Sequence, residues 1–259
     1  MQKLTLVKIG GTIVDDAIAL KEFLALYTQL ASPKILVHGG GKIATELAKD
    51  LAIPTEMIQG RRITSSAMLP VTVMVYAGLI NKQIVAQLQQ KNCDAIGLSG
   101  ADAQLIVSHK RPVQNIDYGF VGDFEPKDVN TTRLRQLIDL GLCPVLSAIT
   151  ADNEGQLLNT NADTIASNLA VALASLYQVE LVYCFEKKGV LYDVKDENTV
   201  IPTINPTNFK ALKKEGVIAA GMLPKIENAL AAVEQEVSKV CIKQAESLLD
   251  ETAGTVIRL

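Results

Sequence analysis

The feature that most narrows what this chain can fold into is a repeated alternation. Short β-rich apolar runs, several ending in glycine, are each followed by a segment with apolar residues at helical spacing. The runs "KLTLVKI" (3–9), "KILV" (34–37), "DAIGL" (94–98), "CPVLSAI" (143–149), "VELVYCF" (179–185), "KVCI" (239–242) and "GTVIRL" (254–259) read as strands. Helices are expected over 15–31, 42–52, 65–90, 131–141, 162–176, 205–216 and 224–236. The first has acids at its start, where the helix dipole favours them, and the one over 205–216 stops at Gly216. The long one over 65–90 has a serine cap, and Pro70, past its first turn, is expected to kink it. The glycines and aromatics of "IDYGFVGDF" (116–124) suggest a hairpin. Strands alternating with helices imply an α/β fold, a three-layer αβα sandwich with a mainly parallel central sheet. No low-complexity linker or solenoid repeat interrupts it. The 259 residues are read as one domain with two lobes, 1–178 and 179–259, joined after the Ala-rich helix.

Composition excludes several classes. With 48% hydrophobic and 20% charged residues, a chain of this length buries roughly three quarters of its unfolded surface. The net charge is −3 and no basic block is present, which argues against a nucleic-acid partner. Cys93, Cys143, Cys184 and Cys241 are widely spaced in apolar contexts and form no Cys-x-x-Cys pair. They read as small buried hydrophobes in a reducing compartment. Two histidines, His38 and His109, with no His-Glu-x-x-His pattern, give no zinc site. The N-terminus has no signal-peptide pattern. The longest apolar stretch, around Met68 to Ile80, reads as too short and interrupted to span a bilayer. A soluble cytoplasmic protein is expected.

Two strand-to-glycine turns carry the chemistry: "VKIGGT" (7–12) and "VHGGGK" (37–42). The second is not a Walker loop, because Ile43 follows Lys42 where a hydroxyl for magnesium is required and Leu36 stands at the first glycine position. It fits the dinucleotide pattern as Gly39-x-Gly41-x-x-Ala44, but the distal ribose-binding acid has no good counterpart; Glu56 falls in "PTEMIQG", a loop or hairpin. The first turn carries Lys8 two residues before Gly10. Bare N–H groups at two strand ends beside a lysine make a cationic cradle for phosphoryl oxygens.

With these residues the chain resembles the amino-acid kinase family, and within it the acylglutamate kinases, over essentially its whole length. The resemblance rests on "VKIGGT", "VHGGGK", "QGRRIT" (59–64), "DYGFVGD" (117–123), "LLNTNADTIA" (157–166), "GVL" (189–191) and "GMLPKIENAL" (221–230). It implies transfer of the ATP γ-phosphoryl group to the side-chain carboxylate of N-acetyl-L-glutamate, with Mg2+ accompanying the nucleotide. Lys8 and Lys225 match the family lysines that meet the transferring phosphoryl group, and Asp163 matches its acidic organiser. Gly40, Gly41, Arg62, Asn159 and Asn161 are then assigned to the acyl-amino-acid site. Guanidinium suits a carboxylate because the pair is bidentate. In an extended lead-in, Asn159, Asn161 and Asp163 share one side. Arg61 reads as surface or supporting, His38 as a hydrogen-bonded strand-end residue, and Lys42 as a solvated first-turn lysine.

The nucleotide is assigned to Gly10 and Gly11 and to Glu186, Lys187, Lys188, Gly189, Val190 and Leu191 over the C-terminal lobe. Here the family pattern "SDVSGVL" departs to "CFEKKGVL" (184–191), and the extra lysines suit either nucleotide phosphates or surface charge. The first strand begins almost at Met1, where arginine-inhibited members carry an extra helix. No hexamer and no arginine feedback are therefore expected. Helix 65–90 resembles the family's dimer helix, which implies a homodimer. N-succinylglutamate or another acid as acceptor, and a non-catalytic metabolite-sensing subunit, are the alternative readings. The second of these predicts loss of Lys8, Asp163 or Lys225, and all three are present.

Overall fold

The computed structural model describes residues 1–31, 33–58, 61–218 and 222–259. Gln59 and Gly60 of "QGRRIT" and Gly221 of "GMLPKIENAL" lie outside the described residues. The protein is mixed α/β with mainly parallel sheet structure. It divides into two compact units, one formed by Met1–Ile35 with Ala166–Leu259 and the other by Leu36–Ile165. These units are drawn from the chain differently from lobes split at residue 178. The reason lies in pairing: β1 (Lys3–Ile9) runs parallel to β5 (Gln178–Phe185) over seven register pairs, so the N-terminal strand folds with the C-terminal ones.

In the first unit the strand order is β6 (Thr203–Ile204), β8 (Thr255–Ile257), β7 (Lys239–Gln244), β5, β1. All neighbours are parallel except β7 and β8. β1 is buried at every position but the first, the pattern of a strand covered on both faces. Helix α1 (Ala17–Gln29) starts two residues later than the sequence suggests, because Asp16 caps it, accepting from the N–H groups of Ile18 and Ala19. Its other end is closed by Lys34, whose buried ammonium donates to the carbonyls of Tyr27, Thr28 and Leu30 at 3.0, 2.9 and 2.8 Å. This satisfies C-terminal acceptors and opposes the negative end of the dipole.

The strands of the second unit follow the order β2 (Lys34–His38, the last three residues lying in this unit), β4 (Cys143–Ser147), β3 (Ala95–Leu98), all parallel. β2 and β4 are buried throughout. Helix α2 (Gly41–Asp50) follows β2, α4 (Thr131–Asp139) precedes β4, and α5 (Ala162–Ala174), whose first four residues lie in this unit, follows the hairpin of Ile149–Ala151 with Leu157–Asn159. Helix α3 (Met68–Gln90) has the expected serine cap, Ser65 Oγ accepting from the Met68 N–H. Its irregularity is not at Pro70, which sits in the first turn where an N–H is dispensable. A π-helical segment, Met74–Ile80, follows instead. At 23 residues the helix is long and apolar enough to cross a membrane, contrary to the shorter stretch read from the sequence, since the more polar Asn81–Gln90 continues it. Half of its most apolar window is packed inside the protein, with Met68, Val71, Ile80, Ile84 and Leu88 in the core. The expected hairpin at 116–124 is larger than predicted: His109–Lys110 pairs with Gly122–Asp123, and residues 111–121 form its loop.

Candidate active site

In the first unit, β1 ends at Ile9 and the chain turns through Gly10 into a one-turn helix, Gly11–Val14. Lys8 is only 7% exposed, and its ammonium returns over the turn, 3.9 Å from where a Cβ on Gly10 would stand. Thr12 Oγ1 donates to Glu186 Oε1 at 3.2 Å, tying this turn to the end of β5. Beyond β5 lies a cavity of about 210 Å³ with mainly apolar walls: Phe185, Val190, Leu191, Val194, Met222 and Ile242. Glu186, Lys187, Gly189 and Lys225 complete its lining. Gly189 is required by close approach, since a Cβ there would lie 2.9 Å from both Thr255 Oγ1 and Val200 Cγ1. The Val190 N–H donates to Thr255 Oγ1 at 2.8 Å. Of the candidate nucleotide residues, Lys188 does not line this cavity, and Lys187 is drawn into an exposed ion pair with Glu197 at 3.0 Å. The Lys187 hydrogen bond and charge, with a smaller contribution from Lys188, hold the Glu197 carboxyl below its ordinary range.

In the second unit, β2 ends at His38 and the chain passes through Gly39–Gly41 into α2. Gly40 has φ +159 and lies against α3: a Cβ would stand 2.2 Å from Ile80 Cδ1. Gly39 faces the start of α5, 3.9 Å from Ala162 Cβ by the same construction. Arg62, 6% exposed, sits behind this turn. Its Nη2 donates to Gly41 O and Thr45 Oγ1, both at 2.7 Å. Its Nε and Nη1 are buried and have no hydrogen-bond partner among the described residues. A buried guanidinium fixed at one nitrogen, with two donors unused, is prepared for an anion.

Asn159 is held close to Arg62 through Thr64, with Nδ2 donating to Thr64 Oγ1 at 2.9 Å. The hairpin loop is pinned at the same residue: Thr64 N–H donates to Tyr118 O and Phe120 N–H to Thr64 O. Gly119 between them needs its positive φ of +72, and a Cβ there would meet Thr64 O at 2.3 Å. Asn161 caps α5, its Oδ1 accepting from the N–H groups of Asp163 and Thr164. Asp163 thus stands in the first helical turn. The shared-side reading therefore stops short of it, because the extended segment ends at Asn159.

His38 is fully buried, and its protonation is set by its neighbours. Asn81 Nδ2 donates to both His38 Nε2 and Val145 O, while Asn81 Oδ1 accepts from Lys82. His38 Nε2 is therefore the acceptor, and Nδ1–H donates to Gly39 O at 2.9 Å. Burial pushes its pKa down to about 4, so the ring is neutral and fixes the strand end, in accord with the sequence reading. All four cysteines are buried and in no disulfide, and burial pushes the Cys184 thiol up to about 12. Among the described residues no group of three or more His, Cys, Asp or Glu is placed to hold a metal.

The amino acid kinase family model matches residues 3–244. An acetylglutamate kinase from Cytophaga hutchinsonii is 52% identical over 261 residues, covering 98% of each chain. The chain belongs to the amino acid kinase family. Another acetylglutamate kinase, from Phocaeicola vulgatus, is 52% identical and covers 99% of both chains. Among solved structures, N-acetylglutamate synthase from Neisseria gonorrhoeae, complexed with coenzyme A and N-acetyl-glutamate, shares the fold. Its TM-score is 0.82 at 22% identity, covering 99% of this chain and 59% of that one.

Two features of this amino acid kinase were not visible to sequence reasoning. Arg111 clamps Asp123 in bidentate fashion, Nε to Oδ2 at 2.7 Å and Nη2 to Oδ1 at 2.5 Å, and stacks over Tyr118 at 5.2 Å. The clamp closes the long hairpin loop. Arg61 alternates with Arg62 on its short strand and lines a separate pocket with Arg111, Tyr118 and Asp123. Burial, and then the Arg111 charge, lower its pKa. Arg61 is thus partly buried within the hairpin region and not a plain surface residue.

Proposed function

We propose that this chain catalyses ATP-dependent phosphorylation of the side-chain carboxylate of N-acetyl-L-glutamate, giving the acyl phosphate used in arginine biosynthesis. The observation that carries this reading is identity near one half, over almost the full length of both chains, to enzymes named acetylglutamate kinase. The buried, half-unsatisfied Arg62 fork supports an acidic substrate.

A carboxylate is already nucleophilic, so the residues need only orient the reactants and neutralise charge. In this reading the unit containing β1 and β5 binds ATP, using the N–H groups of Gly10 and Gly11 and the cavity walled by Val190 and Leu191 behind Gly189. Lys8 and Lys225 neutralise the transferring phosphoryl oxygens, and Asp163 is the acidic organiser that the resemblance implies. Glu186 orders the Gly10–Thr12 turn, and Lys187 and Lys188 act as surface charge near the mouth of the cavity. The other unit binds the acyl-amino acid: Arg62 takes the α-carboxylate through Nε and Nη1, Gly40 and Gly41 offer backbone N–H groups, and the amides of Asn159 and Asn161 meet the remaining polar atoms. Mg2+ would accompany the nucleotide and would supply neutralisation of phosphate charge. The exposed Met74 and Leu79 on α3 suit a homodimer contact, and the enzyme works in the cytoplasm.

The test is Mg-ATP with N-acetylglutamate, N-succinylglutamate, glutamate, aspartate and uridylate, trapping acyl phosphate with hydroxylamine. Turnover should be highest with N-acetylglutamate; turnover with none sinks the reading. Light scattering checks the dimer, and a monomer mass removes it.

A further inference from the structure

The end of β5 carries a feature that the roles above leave unused. Lys8 is the register partner of Tyr183, and Ile242 is the partner of Tyr183 on the other side. These side chains therefore share one face of the sheet, and Phe185, two residues beyond Tyr183, lies on the same face. The Phe185 ring stacks near Tyr183, with centroids 6.2 Å apart and an interplanar angle of 21°. Two ammonium groups converge on this ring. Lys225 Nζ lies 3.9 Å from its centroid and Lys8 Nζ 5.7 Å. Both distances fall within the range of cation–π attraction. The next residue, Glu186, binds Thr12 of the first glycine turn. Consecutive residues thus grip both the lysine pair and the turn that follows Lys8.

An aromatic face has a property that a carboxylate lacks. It attracts an ammonium group without taking the strong hydrogen bonds that a phosphoryl group must receive. A lysine has a flexible four-carbon stem, and two ammonium groups drawn to one ring repel each other. A ring beneath them restrains the stems and offsets part of that repulsion without itself accepting a strong hydrogen bond.

We propose that Phe185 is a positioning residue for phosphoryl transfer, its ring holding Lys225, and with it Lys8, ready for the phosphoryl oxygens. The proposal rests on the kinase reading above. It separates ring chemistry from mere bulk. Phe185→Tyr keeps the face and should retain kcat within about threefold of wild type. Phe185→Leu keeps apolar bulk but loses the face, and should lower kcat by about tenfold, with KM for the acyl acid unchanged. Equal losses in both variants, or none in the leucine variant, overturn the proposal.

A second measurement is independent of turnover and of how the leucine variant folds. In the full-length protein with lysines reductively 13C-methylated, one Nζ-methyl signal should be displaced upfield by the ring current. It should be absent from Lys225→Arg, retained in Phe185→Tyr and lost in Phe185→Leu. No displaced signal in an active wild-type enzyme overturns the proposal alone. A wild-type enzyme inactive on every acceptor overturns the kinase reading and this proposal with it.

Discussion

His38 gives this protein a loss of stability toward acid that can be worked out from one ring. Its ring is fully buried, accepts from Asn81 and donates to Gly39 O. A second proton would have to be placed on Nε2, which faces a donor amide, in a fully buried site. Burial accordingly holds the folded pKa at about 4, against 6.5 for an ordinary imidazole. The sign follows directly. Above pH 6.5 the ring is neutral in both folded and unfolded chains, and its full contribution to stability is present. As pH falls through 6.5 the unfolded chain binds a proton that the folded one refuses, so stability drops until about pH 4 and then levels off. At about 1.4 kcal/mol per pH unit the loss amounts to roughly 3 kcal/mol, a large share of a typical folding free energy.

With only two histidines in the chain, the assay is direct. In proton NMR one imidazole C2–H signal, identified by its absence from His38→Gln, should stay at its neutral position from pH 7.5 to 5. In urea unfolding at a series of pH values, wild type should lose about 3 kcal/mol more than His38→Gln between pH 7 and 4. The comparison cancels the carboxylates that titrate in the same range. Two histidine signals that both titrate with midpoints above 6, or parallel stability curves for the two proteins, would refute the reasoning.

Three further outcomes are expected. Lys8→Ala and Lys225→Ala should each lower kcat by about a hundredfold or more in the hydroxylamine assay; near-normal kcat removes that lysine from the mechanism. Arg62→Lys loses the planar fork whose Nε and Nη1 have no hydrogen-bond partner among the described residues. It should raise KM for the acyl acid by about tenfold to a hundredfold, and an unchanged KM refutes the assignment. Gly40→Ala drives a methyl group to 2.2 Å from Ile80 Cδ1 and should cost about 1–3 kcal/mol in unfolding measurements. Gly40→Ala with Ile80→Val, which removes that Cδ1, should recover part of it; no recovery places the strain elsewhere.

The fold was legible where local chemistry and tertiary packing agree. β1, β2 and β4 are continuous apolar runs because both their faces are covered, and Asp16, Ser65, Asn205 and Gly216 act at helix ends as their side chains, or the lack of one, dictate. The two-residue strands Met57–Ile58 and Arg61–Arg62 are too short to carry a period, and the π segment of α3 keeps the apolar character of an ordinary helix. The long hairpin was misplaced because the contacts that define it, Arg111 to Asp123 and Thr64 to the Tyr118–Phe120 loop, join distant positions.

The candidate site was legible in its glycines, and at Gly40 and Gly189 close approach is the reason, since a Cβ would stand 2.2 Å from Ile80 Cδ1 and 2.9 Å from Thr255 Oγ1. It was less legible in its charged residues. Lys187 and Lys188 read equally well as phosphate ligands or as surface charge, and only Lys187 is drawn into an exposed ion pair with Glu197. Phe185 is the reverse case. In sequence it is one more apolar residue at the end of a strand, with nothing to set it apart from core. Only folding brings a lysine from forty residues further along the chain to within 3.9 Å of its ring. A cation held by an aromatic face leaves no local pattern in the sequence, because the attraction depends on the position of the ring and not on the spacing of charges.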